Sequence, residues 1–334
     1  MAGNASYLPC LYSLYHIEKP NPTIYITTVT TCFLTFVLSM CGAVANGLVC
    51  LAILLNKDLQ IYSNLLLLFL SFNDFIVACF AEPLYITRRL LESQNQYLCW
   101  LSLTYRALWN ISVGLSFQAI AVISAERYFA LFHPFKYKEH VTVNRLITTV
   151  LLLAGIWVVF VLSRFAGLPT NYFYAITSPM ILICIIMIAV VHVKIFKLAR
   201  WHHRQISLNT CSPQNEVCHT RKWMRYTARE AKIAKSTAFV VGAVFLCYLP
   251  LIVIVITNII LTHQDVLFHY YILPWTDFLV FLNSLLNPVI YCWRSRELRS
   301  SIVRLCKRET RVTDQQNSVT VNNNNINNNS MNKS

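Results

Sequence analysis

The sequence predicts an all-α membrane protein, a seven-transmembrane helix bundle with a short amphipathic eighth helix. Two observations carry the prediction. Of the 334 residues, 56% are hydrophobic and only 13% charged, and the apolar residues are gathered into seven long runs rather than scattered as in a soluble core. Each run reaches the roughly 20 residues that a helix, rising about 1.5 Å per residue, needs to cross about 30 Å of hydrocarbon. None alternates apolar and polar residues with period two, which excludes a barrel, so each span must close its own backbone hydrogen bonds as helix.

The runs are Ile24 to Leu55, Ile61 to Thr87, Leu98 to Leu131, Leu146 to Leu168, Tyr172 to Ala199, Thr237 to Leu261 and Val266 to Tyr291. They divide the chain into an N-terminal segment over 1–23, the bundle over 24–291, an amphipathic helix over 292–306 and a tail over 307–334. The first 23 residues lack a basic start and a short apolar core, so the first helix is expected to act as an uncleaved anchor.

Seven spans put the termini on opposite sides, and the basic residues choose the orientation. Of the 28 lysines and arginines, Lys19, Arg88, Arg89, Arg106 and Arg164 fall toward the N-terminal side and the other 23 toward the opposite one. The positive-inside rule then places the N-terminus outside the cell and the C-terminus in the cytoplasm. The net charge of +14 is mostly this asymmetry, beside membrane lipid and cytosolic partners, and does not point to nucleic acid.

The loops on the N-terminal side are short, and Pro169, Thr170 and Asn171 alone are expected to separate the fourth span from the fifth. The loop after the fifth span carries Arg200, Arg204, Arg221, Lys222, Arg225 and Arg229 around a polar stretch, which predicts a basic docking surface. Beyond Tyr291, Leu298, Ile302, Val303 and Leu305 alternate with arginines in the pattern of a helix lying on the membrane, and Cys306 at its end could carry palmitate. The asparagine-rich tail has no apolar face, which predicts disorder.

Most of the twelve cysteines lie inside spans, where a thiol usually serves as a small apolar group. Cys10 and Cys99 face an oxidising compartment, and either pair, pinning the N-terminal segment over the third helix, or stay apart. Asn4, Ala5 and Ser6 form a glycosylation acceptor on the same side, used or unused. The nine histidines are dispersed, so neither a metal cluster nor catalysis finds support, and no enzyme activity is expected.

Ionisable groups at membrane depth are costly and mark function. Asp74 in the second span, Ser116 in the third, Asn46 in the first and Asn283, Ser284 and Asn287 in the seventh share one depth. Their oxygens either surround a small cation such as sodium or satisfy one another. At the C-terminal side, Glu126, Arg127 and Tyr128 end the third span and Glu230 begins the approach to the sixth. Arg127 paired with Glu126 and Glu230 would latch these spans, and releasing it would open a cleft. Pro250 and Pro288 interrupt the sixth and seventh spans and predict hinges.

Together, Gly42 to Val49 with Asn46, Leu70 to Phe75 with Asp74, Glu126 to Tyr128, Trp157, Cys247 to Pro250 and Asn287 to Tyr291 resemble the rhodopsin-like G-protein-coupled receptors. The match in order, spacing and depth extends from the first helix to the eighth. The resemblance implies a plasma-membrane receptor driving nucleotide exchange on a heterotrimeric G protein, with arrestins and receptor kinases as further partners. It makes Arg127 with Tyr291 similar to the G-protein switch, Asp74, Ser116, Asn283 and Asn287 similar to a sodium site, and Tyr248 the occupant of the usual tryptophan toggle position.

Departures from the pattern narrow the subfamily. Cys184 stands where the fifth helix's proline is expected, and His192 where a tyrosine is usual. The loop after the fourth span has no cysteine, and these features are most similar to the melanocortin, adenosine, cannabinoid and lysolipid receptors. Trp109 occupies the place of the aspartate an amine receptor needs, and Phe281 the place of an opsin's Schiff-base lysine. By the same resemblance the pocket for an extracellular small molecule, lipid or peptide involves Glu82, Arg106, Trp109, Val255, Asn258, Asp277 and Phe281. Arg106 and Arg164, if turned inward, would suit an acidic group, and Glu82 with Asp277 a basic one, unless these four partner one another.

Overall fold

A computed structural model describes residues 22–164, 167–168, 170–209, 239, 242–243, 245–253 and 268–307. Among them the helices are α1 (Pro22–Leu55), α2 (Tyr62–Ser93), α3 (Cys99–Phe132), α4 (Val143–Leu162), α5 (Thr170–Asn209), α6 (245–253), α7 (Leu273–Arg294) and α8 (296–307), with a two-turn helix at Pro134–His140. Five of these segments, α1 to α4 and Ala175–Leu198 within α5, are long and apolar enough to cross a membrane. α7 dilutes its apolar surface with Asp277, Asn283 and Asn287, and the expected sixth span lies mostly outside the described residues.

The side chains sort by solvent in the sense a bilayer demands. In α1, Thr28, Thr31, Thr35, Ser39, Gly42, Asn46, Val49 and Ile53 recur every three or four residues and are buried. This stripe of small and polar groups faces α2 and α7, while Phe33, Phe36 and Met40 point outward. Lipid tails are as apolar as leucine, so close packing and internal hydrogen bonds, not the exclusion of apolar groups from water, hold such helices together. Ser39 donates to the Ala78 carbonyl at 2.7 Å, and a Cβ on Gly42 would stand only 3.3 Å from that of Ala78.

α3 is the central element, packed against α2, α4 and α5. At 34 residues it is about 50 Å long, enough to cross obliquely. α4 leans on it through one narrow edge: Trp157 is 5% exposed, whereas its neighbours Ile156 and Val159 are 68% and 69% exposed to lipid. The Trp157 indole donates to the Asn110 and Ile111 carbonyls at 3.1 and 3.2 Å. Its ring occupies the space beside Gly114, where any Cβ would fall 2.0 Å from the indole.

Several expected boundaries shift. α4 ends at Leu162, not Leu168, because the chain turns there: Leu168 N–H closes on the Ser163 carbonyl at 3.1 Å and Gly167 adopts φ +100°, a conformation glycine alone tolerates easily. The link from α4 to α5 is therefore longer than the three residues expected. α5 runs to Asn209, well past Ala199, and contains Pro179, a helix-five proline five residues before Cys184. α7 continues to Arg294, and α8 follows after Ser295, whose hydroxyl caps Leu298 N–H at 3.2 Å.

The two expected hinge prolines do not break their helices: 245–253 is helical through Pro250, and α7 through Pro288. Pro288 has no N–H, which releases the Ser284 carbonyl from its usual helical partner, and Asn46 Nδ2 from α1 donates to that carbonyl at 3.1 Å.

Packing at Gly114 sets a clear expectation. Gly114→Ala should lower the stability of the purified receptor by about 1–3 kcal/mol, since the neighbour to be displaced is a rigid, doubly hydrogen-bonded ring. Gly155→Ala, with nothing within 4 Å, should leave thermal unfolding unchanged.

Candidate functional site

Three polar layers lie along the bundle, named here by the face at which α1 begins and the opposite, C-terminal face. In the middle layer Asp74 of α2 is fully buried and accepts hydrogen bonds from Ser284 Oγ at 3.0 Å and Asn287 Nδ2 at 2.7 Å, both from α7. Asn46 adds the α1 contact to Ser284 and a second bond to Gly42 at 3.0 Å. Ser116 is buried at this level but bonds elsewhere: its hydroxyl accepts from Asn73 Nδ2 at 2.9 Å, and Asn73 also donates to the Ser112 carbonyl at 3.1 Å. Adjacent residues on α2 diverge by about 100° on a helix, so Asn73 serves α3 while Asp74 serves α7. The buried oxygens Asn46 Oδ1, Asn283 Oδ1, Asn287 Oδ1 and Tyr291 Oη have no hydrogen-bond partner among the described residues.

At the C-terminal face, Arg127 forms a two-pronged ion pair with the adjacent Glu126, both buried. Tyr137, on the two-turn helix after α3, donates its hydroxyl to the same carboxylate and sets its ring edge-on to Tyr62 at 6.1 Å. The sequence offered no sign of Tyr137, because its contact depends on the turn at His133 that swings the short helix back. Tyr128 points away, stacked on Phe132 at 4.6 Å with the Lys194 ammonium of α5 over its ring. Glu230, the other expected latch partner, lies outside the described residues. Tyr248 is buried with its ring 4.9 Å from that of Phe117, which ties α6 to α3. His192 bonds Ile188 O at 3.0 Å through Nδ1 and buries Nε2 without a partner.

The third layer lies at the N-terminal face, where a π turn at Val77–Ala81 adds one residue to α2 ahead of Pro83. The turn brings Glu82, Tyr85, Arg88 and Arg89 into the bundle, at 1%, 0%, 8% and 2% exposed. Arg88 and Arg89 both reach Glu92, at 3.5 and 3.3 Å, and their guanidinium groups lie over the rings of Tyr105 and Tyr270 at 4.5 and 5.2 Å. Asp277 of α7 is buried within electrostatic reach of both arginines and of Tyr85. Tyr85, Tyr105, Trp109 and Phe281 form a ladder of rings 5.2 to 6.0 Å apart beneath them.

This arrangement redistributes the pocket candidates. Asp277, Trp109 and Phe281 come together, and the arginines facing Asp277 are Arg88 and Arg89, which the sequence placed merely toward the outer side. Arg164 instead donates to its own turn at Leu168 and lies over Phe173. Arg106 is half-buried on α3, its carbonyl accepting from Asn110 at 2.8 Å. Glu82 has Oε2 buried without a partner among the described residues. Val255, Asn258, Cys10 and Asn4 lie outside the described residues. Cys99 is disulfide-bonded, and Cys306 is exposed on α8.

A single bundle carrying all three layers is the architecture of a membrane receptor, and the chain belongs to the 7 transmembrane receptor (rhodopsin family), whose model matches residues 45–174 and 163–291. It is similar to the histamine H2 receptor of Cavia porcellus, 23% identical over 91% of this chain and 87% of that one. It is also similar to the adenosine receptor A2b of Rattus norvegicus, 26% identical over 82% and 89%, and to the cannabinoid receptor type 1B of Takifugu rubripes, 23% identical over 60% and 46%. The protein is thus a multi-pass membrane receptor of the G-protein-coupled class and not an enzyme.

Double-mutant cycles on the purified receptor should report the divided roles of Asn73 and Asp74. The Asn73–Ser116 and Asp74–Asn287 pairs should each couple by about 1 kcal/mol, and Asp74–Ser116 by clearly less.

Proposed function

We propose that this receptor sits in the plasma membrane with its N-terminus outside, binds an extracellular small molecule, lipid or peptide at the N-terminal face, and activates a heterotrimeric G protein through Arg127. The observation that carries this reading is the buried Glu126–Arg127–Tyr137 cluster at the C-terminal end of α3, in a chain of this family. An ion pair so placed adds little net stability yet sets which state is populated. Glu230 is the proposed partner from the approach to α6, Tyr248 and Tyr291 relay movement between α3, α6 and α7, and arrestins and receptor kinases recognise the activated form. The names of the relatives speak of histamine, adenosine and cannabinoids; Trp109 in place of the ammonium-pairing aspartate argues against an amine here.

The middle layer suits an allosteric sodium ion: Asp74 supplies the charge, and the unspent oxygens of Asn283 and Asn287 are donors of the hard kind such a cation takes. Palmitate on exposed Cys306 and glycan on Asn4 complete the proposed modifications. Cys10 is the proposed partner of Cys99, since eight other cysteines form no disulfide and the remaining two, Cys211 and Cys218, fall in the basic loop on the opposite side.

Nucleotide exchange on purified G protein tests the switch. Arg127→Ala should abolish most exchange, whereas Glu126→Gln and Glu230→Ala should raise basal exchange several-fold, the effect of about 1 kcal/mol on a two-state equilibrium. Basal exchange at or below wild type in both acidic variants would overturn the latch. Peptide mapping without reduction should recover Cys10 and Cys99 in one cross-linked fragment.

A further inference from the structure

We propose that the groove between α1, α2 and α4 at the C-terminal face binds one acidic phospholipid, with an acyl chain in the groove and the phosphate at Arg145 and Lys57. The proposal rests on the membrane orientation given above, which puts this face in the cytoplasm. The groove holds about 320 Å³, about twice the ~150 Å³ that takes up benzene in a protein core. Cys50 and Leu54 of α1, Leu65 and Phe69 of α2, and Ile147 and Leu151 of α4 line it, with no charged or amide side chain in the lining. It exists because α1 packs on α2 while α4 packs on α3, which leaves the outer side of α2 open between them. From Leu65 to Phe72 the lining rises about 10 Å, most of the depth of one leaflet.

The rim names the headgroup. α4 begins there with no acidic residue in its first turn, and Arg145 in that turn directly precedes the lining residues Leu146 and Ile147. Arg145 is exposed, donates Nη1 to the His140 carbonyl at 3.1 Å and forms no ion pair among the described residues. Lys57, three residues past Leu54, is likewise exposed and without an ion pair among them. The two connections beside the rim, 56–61 and 133–142, add Lys136 and Lys138 against Asp58 and Glu139, so the basic charge prevails. Basic residues where helices meet the cytoplasmic leaflet attract its anionic lipids, and a guanidinium fork matches the paired oxygens of a phosphate. The positive end of the α4 dipole points the same way. A sterol would bring a single uncharged hydroxyl to this rim and leave both cations unanswered.

The full-length receptor in nonionic detergent is titrated with dioleoylphosphatidate, dioleoylphosphatidylserine, dioleoylphosphatidylcholine and cholesterol. Retained lipid is counted by native mass spectrometry while the thermal unfolding midpoint is followed. One phosphatidate should bind at a concentration about tenfold below that for phosphatidylcholine, and the gap should narrow as salt rises. Arg145→Gln should remove about fivefold or more of that preference and Arg145→Lys keep part of it. Lys197→Gln, which removes an exposed cation of α5 away from the groove, should leave it unchanged. Ile147→Trp should weaken phosphatidate and phosphatidylcholine alike by filling the groove; Leu151→Trp, at a more exposed position, takes its place if the first variant fails to fold. Equal retention of phosphatidylcholine, displacement of phosphatidate by cholesterol, a loss in Lys197→Gln as large as in Arg145→Gln, or undiminished binding to the folded tryptophan variant would each overturn the proposal. Disulfide cross-linking of two chains through Ile147→Cys in membranes would give the groove to a second copy instead. None of these outcomes touches Arg127-dependent exchange by the wild-type receptor, whose absence would remove the receptor reading.

Discussion

The carbonyl of Ser284 shows what the whole bundle must solve. Pro288, one helical turn later, has no N–H to give it, and the hydrocarbon around α7 holds no water that could. Asn46 of α1 supplies the missing hydrogen bond, Ser284 turns its own hydroxyl to Asp74 of α2, and Asn287 joins from the next turn. One backbone vacancy thus draws α1, α2 and α7 together at a single depth. The same rule places the indole of Trp157 on two carbonyls of α3 and the hydroxyl of Ser39 on a carbonyl of α2.

Because polar groups must be met inside the bundle, they gather in layers, and the layers differ in how completely they are satisfied. At the C-terminal face Glu126 is taken up by Arg127 and Tyr137. In the middle, Asp74 is paired while four neighbouring oxygens find no partner among the described residues, and at the N-terminal face Arg88 and Arg89 both reach Glu92. Unspent hydrogen-bonding capacity at membrane depth is expensive. The tight packing of Gly114 against Trp157 keeps α3 and α4 in fixed contact.

Much of this was legible in the sequence, and for identifiable reasons. Apolar runs as long as a bilayer is thick can hardly be anything but spans, and Asp74, Glu126, Arg127 and Asn287 stand out because charge and amide groups are rare there. Arg88 and Arg89 did not stand out: a charged pair near the end of an apolar run reads as a boundary. The π turn before Pro83, which brings them inward, has no periodic signature. Tyr137 was hidden for a related reason, since a tyrosine in a short connecting segment gains a role only when the chain folds back to Glu126.

By itself, the sequence determined the membrane class, the helical spans and the depths of the polar residues, because transfer between water and hydrocarbon acts on each segment independently of the others. Tertiary structure alone decided which partner each polar group takes: Ser116 with Asn73 and not Asp74, Asn46 with the carbonyl freed by Pro288, and Asp277 facing Arg88 and Arg89 rather than Arg106. Those choices turn on rotations of about 100° per residue and on single inserted residues, quantities that composition and spacing leave open and that only the packing of one helix against another can set.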